Sequence, residues 1–284
     1  MTTPDAQTVV RVTADPAAFR EVVAPLIERE PVQHSVLATN LARVLAADDP
    51  AGEALWIWAE LRGRPVAAAL HTPPHPPYLC TSDPAVAVAM AEELSRSTRA
   101  VDGVNGSRGA SEAFARRWCE LHRCRASIEG ETAVYVLDRV VHPTGVPGRL
   151  RLAEHSDADL LNEWARDFTA AVGEPASTEQ NPMTARIDDR ELWVWDDGGP
   201  VSMAYASPAH GGVSRIAWVY TPPGLRTRGY ASACVAGVSQ EQVGRGDACM
   251  LYADLADPKS NAIYQVIGYR RVGDAVHLRF QAVP

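Results

Sequence analysis

The chain has 284 residues, of which 46% are hydrophobic and 22% are charged, and its formal net charge at pH 7 is -8. This length allows one large domain or two of ordinary size, and the composition is that of a globular protein. The net negative charge argues against general binding to nucleic acid or to an anionic membrane, so we expect neither as a partner. Any anionic ligand must therefore be held by local groups.

The start of the chain, Met1–Asp5, lacks the basic and apolar segments of a secretory signal, and no run of about 18 apolar residues occurs. These features predict a cytoplasmic protein. Five scattered cysteines fit buried, reduced thiols rather than a disulfide framework. Cys119, His122 and Cys124 lie close together, but their spacing matches no usual zinc pattern, so we predict no metal site.

The first half of the chain alternates strand and helix patterns. It predicts strands near 9–12, 55–61, 66–71, 78–81 and 101–104, with helices within 16–47, 84–97 and 111–121. The segments 71–77, rich in proline and histidine, and 105–109, which contains two glycines, are interpreted as a rigid loop and a turn.

The second half begins with a strand at 149–153 and a helix at 157–171, followed by a polar connector with a short second helix. Further strands are predicted at 191–195, 201–206, 213–221 and 249–255, with a helix from 231 to Gly244 or Gly246. Asp257 is a suitable N-cap for a helix that starts at Pro258 and ends at Ile267. Strands at 269–272 and 276–280 form a predicted closing pair.

The two halves share short sequence words in one order. Leu55–Trp58 resembles Leu192–Trp195, and each is followed by a glycine-containing turn and a Pro-Val pair. Because several matches keep a nearly constant offset, we interpret the chain as a tandem duplication, with domains at 1–140 and 149–284 joined by a linker within 141–148. The alternative is a coincidence of common strand words.

The most informative stretch runs from Val219 to Ala231. A β-branched and aromatic strand ends there, two prolines interrupt it, and a basic turn containing Gly229 precedes an amphipathic helix. Free N–H groups at a helix N-terminus after such a loop form a site for a phosphate or pyrophosphate. Gly229 lets the backbone approach a ligand closely, and Arg226 and Arg228 can add charge-assisted hydrogen bonds. The alternative for the arginines is solvated loop charge.

Two motifs carry a family resemblance. The run Arg226-Thr227-Arg228-Gly229-Tyr230-Ala231 matches [Gln/Arg]-x-x-Gly-x-[Gly/Ala], and Asn261, Tyr264 and Gly268-Tyr269 match Asn-x-x-Tyr and Gly-[Phe/Tyr]. On these residues the second half resembles the GNAT superfamily of acyl-CoA-dependent N-acyltransferases. The motifs cover about residues 149–280. The first half is similar only in the order of its elements and lacks the basic glycine turn, so it is expected to be a degenerate copy.

The resemblance implies acetyl-CoA as cofactor, with its pyrophosphate at the N–H groups of the basic turn and its pantetheine amides along the preceding strand. Asn261 is implied to hydrogen-bond the pantetheine arm, or alternatively to cap its own helix. The implied cofactor-binding residues are Val219, Tyr220, Thr221, Arg226, Thr227, Arg228, Gly229, Tyr230, Ala231, Ser232 and Asn261.

Tyr264 resembles the family's general acid, which protonates the departing CoA thiolate. Proton transfer from a tyrosine of pKa near 10 to a thiol near 8.5 is uphill by roughly 2 kcal/mol, which is tolerable if it accompanies C–S cleavage. The alternative is an ordinary core tyrosine. Glu174, Asp254 or a water chain are candidates for the base that deprotonates the amine.

These observations predict an α+β fold with two tandem GNAT-type domains, each a mixed, mostly antiparallel sheet flanked by helices. The predicted function is transfer of an acetyl group from acetyl-CoA to a primary amine of a small molecule or peptide by direct attack. The expected oligomeric state is a monomer or homodimer. The alternative function is an acyl-CoA-binding regulatory or interaction protein without turnover.

Overall fold

A computed structural model describes residues 8–46, 54–97, 100–172 and 182–283. The contacts between residues divide the chain into two compact units. Unit 1 contains the described residues of Met1–Val134 together with Asp254–Ala256 and Gly273–Pro284, and unit 2 contains those of Tyr135–Ala253 and Asp257–Val272.

Both units combine strands and helices. The strands are β1 (Thr8–Thr13), β2 (Leu55–Leu61), β3 (Arg64–His71), β4 (Tyr78–Cys80), β5 (Gly103–Ser107), β6 (Cys124–Leu137), β7 (Arg149–Leu152), β8 (Leu192–Asp196), β9 (Pro200–Ala206), β10 (Val213–Tyr220), β11 (Ala248–Asp254) and β12 (Tyr269–Ala282). The helices are α1 (Pro16–Arg29), α2 (Ser35–Ala46), α3 (Pro84–Leu94), α4 (Arg108–His122), α5 (Ala158–Val172), α6 (Pro182–Asp188), α7 (Tyr230–Gly244) and α8 (Pro258–Val266).

In unit 1 the strands β1 to β5 are neighbours in chain order, and the end of the chain supplies the next strand. The pairs β1–β2, β2–β3 and β3–β4 are antiparallel, whereas β4 and β5 are parallel. Strand β12 pairs antiparallel with β5, from Ala275 opposite Ser107 to Arg279 opposite Gly103. Unit 1 is therefore built from both ends of the chain.

The core of unit 1 lies on both faces of its sheet because side chains alternate along a strand. On β2, Trp56 packs with Phe19 and other residues of α1 and α2, whereas the adjacent Ile57 packs against the opposite cluster, which includes Met90 of α3 and Phe114 of α4. All five side chains are fully buried. The sheet is thus covered by helices on each face.

Unit 2 repeats the same order of elements. Strands β7 to β10 are successive antiparallel neighbours, and β10 pairs in parallel with β11. Helix α5 and the seven-residue α6 pack on the sheet, with Leu161, Trp164 and Met183 in one cluster with Leu192 and Val194 of β8. The N-terminus of α7 follows the end of β10, which places that helix start at the predicted ligand site.

The α+β fold with a mostly antiparallel sheet and flanking helices is confirmed. The predicted closing pair at the end of the chain is wrong, because β12 continues without a turn through Gly273 to pair with β5. The turn predicted at 105–109 is also wrong: its first three residues belong to β5 and its last two begin α4. Strand β6 was not predicted. Within the described residues, no helix combines the length and apolar character needed to cross a bilayer.

Candidate functional site

The end of β10 departs from regular strand geometry. Trp218 has a φ of 51°, and the pairing of β10 with β9 shifts register between Ala217 and Tyr220, which is the pattern of a β-bulge. The parallel pairing of β10 with β11 ends at Ile216. The backbone of Val219 and Tyr220 therefore lies beyond the paired part of the β10–β11 ladder, although Tyr220 stays paired with Met203 of β9.

The loop between β10 and α7 ends in an uncapped helix start. Gly229 is the N-cap residue, has a φ of 83°, and provides no side-chain hydrogen bond to the first turn. Because the first N–H groups of a helix have no intrahelical acceptor, those of Tyr230, Ala231 and Ser232 are available to an anion. An added Cβ at Gly229 would lie 2.8 Å from Cγ2 of Val146, so the position favours glycine in both conformation and space.

The two arginines of the loop have different surroundings. Nε of Arg226 donates a hydrogen bond to the carbonyl of Thr221 at 2.9 Å, and its guanidinium lies 5.9 Å from the ring centre of Tyr220. Nη2 of Arg228 lies 3.5 Å from the carbonyl of Gly224, and its guanidinium also interacts with the hydroxyl of Tyr230. Both side chains are exposed. Arg226 thus shapes the loop as well as adding charge, whereas Arg228 mainly adds charge.

The β8–β9 hairpin anchors both ends of this loop. The hydroxyl of Tyr230 donates to Oδ2 of Asp197 in the β8–β9 turn at 2.6 Å. The hydroxyl of Thr221 donates to that of Ser202 at 2.9 Å, and Ser202 in turn donates to the carbonyl of Tyr220. The side chains of Thr221 and Tyr230 therefore hold the loop against the β8–β9 hairpin.

Helix α8 starts with the predicted cap. Oδ1 of Asp257 accepts hydrogen bonds from the N–H groups of Lys259 and Ser260, at 3.0 and 3.3 Å, and Oδ2 accepts one from the Ser260 hydroxyl at 2.6 Å. These bonds, led by that of the Ser260 hydroxyl, lower the pKa of Asp257. The capping role expected for Asp257 agrees with this geometry.

Asn261 has its amide engaged within the protein. Its Nδ2 donates to the carbonyl of Asp257 at 2.7 Å, and its Oδ1 accepts a hydrogen bond of 2.9 Å from the hydroxyl of Tyr135, a buried residue of β6. The same hydroxyl accepts a bond of 3.2 Å from Nε2 of Gln265. Contact between Asn261 and a pantetheine arm stays a prediction, and the alternative capping role explains the observed bonds.

Tyr264 lies one turn after Asn261 and is 8% exposed. Burial, together with the negative charge of Asp257, raises the pKa of Tyr264 well above its usual value of 10. Its ring centre is 6.2 Å from those of Tyr135 and Tyr269. Within the described part of the chain its hydroxyl has no hydrogen-bond partner. The group is therefore a neutral donor held by packing and available to an incoming acceptor.

The candidates for the base occupy separate places. Glu174 lies outside the described residues. The carboxylate of Asp254 is exposed and accepts a hydrogen bond of 2.8 Å from the N–H of Ala256, so it stabilises a turn. The base stays unassigned.

An aromatic cluster beside the bulge was missed by sequence reasoning. Phe168 of α5 lies 5.2 Å from Trp218, and Asp167 accepts a 3.0 Å hydrogen bond from the hydroxyl of Tyr220. Arg186 of α6 lies over the ring of Tyr205 at 4.3 Å and near that of Trp218 at 5.9 Å. In the sequence, the aromatic residues of α5 are indistinguishable from ordinary core positions. Only the bulge at Trp218, which the structure shows, connects them with the site.

The corresponding helix of unit 1 has an acidic cap. Oδ1 of Asp83 accepts hydrogen bonds from the N–H groups of Ala85 and Val86, at 2.8 and 3.4 Å, at the start of α3. A carboxylate therefore occupies the place where unit 2 has uncapped N–H groups after Gly229. An anion at the start of α3 would find these N–H donors already bonded to Asp83 and would be repelled by its carboxylate.

Comparisons with known proteins bear on the family and the fold. Residues 198–278 match the family model described as FR47-like protein. A GCN5-related N-acetyltransferase from Sphaerobacter thermophilus is 20% identical, with a TM-score of 0.60 over 99% of this chain and 98% of that one. A GNAT-family acetyltransferase from Colwellia psychrerythraea is 10% identical, with a TM-score of 0.60 over 97% and 100%.

A GCN5-related N-acetyltransferase from Kribbella flavida is 19% identical and has a TM-score of 0.50 over 76% of this chain and 87% of that one. No curated protein matches the chain. The chain therefore has the fold of these GNAT-family acetyltransferases, in agreement with the resemblance drawn from its motifs. The likeness to the Sphaerobacter and Colwellia structures extends over both units.

Proposed function

We propose that the chain is an acetyl-CoA-dependent N-acetyltransferase that acts on a primary amine of a small molecule or peptide by direct attack. The observation that carries the proposal is the uncapped start of α7 directly after the bulged end of β10. This arrangement provides N–H donors for a pyrophosphate and, beyond Ile216, a strand edge not paired with β11 for an extended amide chain. Bound acetyl-CoA supplies the activated acetyl group as a thioester.

The proposed binding role falls mainly on the backbone of unit 2. The N–H groups from Thr227 to Ser232 bind the pyrophosphate, Arg226 and Arg228 add charge, and the backbone of Val219 and Tyr220 orients the pantetheine amides. The Gly229 N-cap keeps side-chain atoms out of this cradle. Because the arginines are exposed, their contribution is expected to weaken as salt concentration rises.

Tyr264 is the proposed general acid. Its raised pKa keeps the hydroxyl protonated at neutral pH and increases the cost of complete proton transfer. We therefore propose that the hydroxyl donates a hydrogen bond to the departing sulfur and that its proton moves as the C–S bond breaks. The amine must also lose a proton to a base. We propose Glu174 for this role, and no described residue is assigned to it.

We propose a single acetyl-CoA site in each chain, with the domain at 149–284 as the catalytic half and that at 1–140 as a degenerate copy from a duplication. The Asp83 cap of α3 supports this asymmetry. Calorimetric titration with acetyl-CoA is expected to give one site per chain. Two equivalent sites would contradict the proposal.

The acceptor class is tested by a screen of small amines, aminoglycosides, amino acids and peptide N-termini for release of free CoA thiol. Acetyl transfer predicts thiol release that depends on the amine. Confirmed cofactor binding with no release across the screen would favour the regulatory alternative. A chain carrying Tyr264→Phe is the control, since it retains the binding cradle and loses the proposed acid.

A further inference from the structure

The end of α4 brings two cysteines of unit 1 together. Helix α4 ends at His122, and Arg123 has a φ of 53° and donates its N–H to the carbonyl of Cys119. This is a left-handed helix cap, in which the residue after the cap often folds back onto the last helical turn. Cys124 is that residue. The local backbone, rather than a distant contact, therefore determines that the two thiols meet.

The two sulfur atoms are 2.7 Å apart and both side chains are partly exposed. A disulfide bond is about 2.05 Å long, so a small movement is enough to join them. The other three cysteines, Cys80, Cys234 and Cys249, are fully buried. Cys119 and Cys124 are thus accessible to small reagents in solution, whereas the three buried thiols are not.

The pair opens into a surface groove of about 430 Å³. Arg116 and Arg125 line the groove and are exposed, and its acidic member, Glu112, lies 3.3 Å from Nη1 of Arg108. Two arginines and a partly neutralised glutamate make the groove locally positive, although the whole chain has a net charge of -8. Such surroundings favour a small anion beside the thiols.

We propose that Cys119 and Cys124 form a dithiol site that small anionic disulfides oxidise to an intrachain disulfide. In the first step the Cys124 thiolate attacks one sulfur of the disulfide, its S–S bond breaks, and one small thiolate leaves and takes up a proton. In the second step the Cys119 thiolate attacks the Cys124 sulfur and the second small thiolate leaves. The protein loses two electrons and two protons, and the disulfide is reduced to two thiols.

The order of these steps follows from the surroundings of the two thiols. Burial, and then the neighbouring Cys124 thiol, raise the pKa of Cys119 to about 12. Cys119 is therefore a poor first nucleophile at neutral pH. Once Cys124 carries the mixed disulfide, its contribution to that shift disappears and Cys119 lies beside the sulfur that it must attack.

The test exposes the folded full chain to oxidised glutathione, an anionic disulfide, or to cystamine, a cationic one. Free thiols are then alkylated in denaturant and the chain is digested with trypsin. Cleavage after Arg117, Arg123 and Arg125 separates the cysteines, so the disulfide links peptide 118–123 to peptide 124–125. We expect this linked product, its loss with dithiothreitol, and full alkylation of the three buried cysteines.

Matched variants test each part. Cys119→Ser is expected to retain a stable mixed disulfide on Cys124, whereas Cys124→Ser is expected to react several-fold more slowly. Oxidised glutathione is expected to react several-fold faster than cystamine at low salt, and the double variant Arg116→Glu, Arg125→Glu to reverse that preference. Complete alkylation of both thiols after exposure overturns the dithiol site. Equal rates for the two disulfides overturn the role of the groove.

Discussion

The hydroxyl of Tyr135 lies 2.9 Å from Oδ1 of Asn261 and joins strand β6 to the helix that carries Tyr264. Tyr135 is 1% exposed, and its hydroxyl also accepts a hydrogen bond from Gln265. The ring centres of Tyr135 and Tyr264 are 6.2 Å apart, but only the Tyr135 hydroxyl is hydrogen-bonded, because that of Tyr264 has no partner among the described residues. Tyr135 therefore holds α8 through its hydroxyl, whereas Tyr264 is held by the packing of its ring.

Replacement of Tyr135 by Phe is expected to lower the free energy of unfolding by about 1–3 kcal/mol, because it leaves the Asn261 oxygen without its donor. Tyr264→Phe is the matched control and is expected to change stability little. Denaturant unfolding of the three chains measures both effects. Equal stability of the Tyr135→Phe chain and the wild type would show that the bond does not hold the helix.

Tyr264→Phe is expected to lower kcat for amine acetylation by about 10²-fold or more, since it removes the proposed general acid. The dissociation constant of acetyl-CoA is expected to change little, because the hydroxyl is not part of the pyrophosphate cradle. Thiol-release kinetics and calorimetry measure the two quantities separately. An unchanged kcat would remove Tyr264 from the mechanism.

Gly229→Ala is expected to destabilise the start of α7 by about 1–2 kcal/mol, because a side chain is strained at a positive φ. The added Cβ also meets Val146, so weaker binding of acetyl-CoA is expected as well. Gly224→Ala is the matched control in the same loop, since its added Cβ meets nothing within 4 Å. Similar losses in both variants would contradict the special role of Gly229.

The ion-pair cluster of Arg151 is expected to make the stability of unit 2 sensitive to acid. Arg151 contacts Asp157 at 2.6 and 3.0 Å and Asp196 at 2.7 Å. The hydrogen bond from Arg151 lowers the pKa of Asp196. Burial alone would raise the pKa of Asp157, but its hydrogen bonds with Arg151 and with the N–H of Glu154 outweigh burial, so that pKa is lowered too.

A carboxylate whose pKa is lower in the folded protein than in the unfolded chain stabilises the fold at pH values above its unfolded pKa of about 3.9. This stabilisation is lost as the pH falls through the folded pKa. Arg151→Met is expected to cost about 1–3 kcal/mol at pH 7. Its difference from the wild type is expected to shrink below about pH 4 as both carboxylates take up protons. Unfolding titrations at pH 7 and in acid measure this change, and a difference independent of pH would contradict it.

Local sequence signals predicted the elements around the site well. The hairpin of β8 and β9 follows from runs of apolar residues on each side of the turn at Asp197 to Gly199, and the Asp257 cap follows from residue chemistry alone. The loop at Gly229 was likewise recognisable, because strand, turn and helix are contiguous in sequence. These features depend on residues close together along the chain.

The wrong predictions share a non-local cause. Gly273 and Asp274 read as a turn, and Asn105–Gly109 also reads as a turn, yet Ala275–Arg279 and Gly103–Ser107 are extended because they pair with one another. The bulge at Trp218 was equally invisible, since its positive φ belongs to a residue type that rarely adopts it. Only contacts between distant segments distinguish these strands from turns.

The pairing of β12 with β5 also sets an order for folding during synthesis. Residues 103–107 emerge from the ribosome long before 275–279, so β5 must wait for its antiparallel partner until nearly the whole described chain has been made. Contacts of such large sequence separation slow folding. The sheet of unit 1, although it begins near the first residues, is therefore expected to reach its final form last.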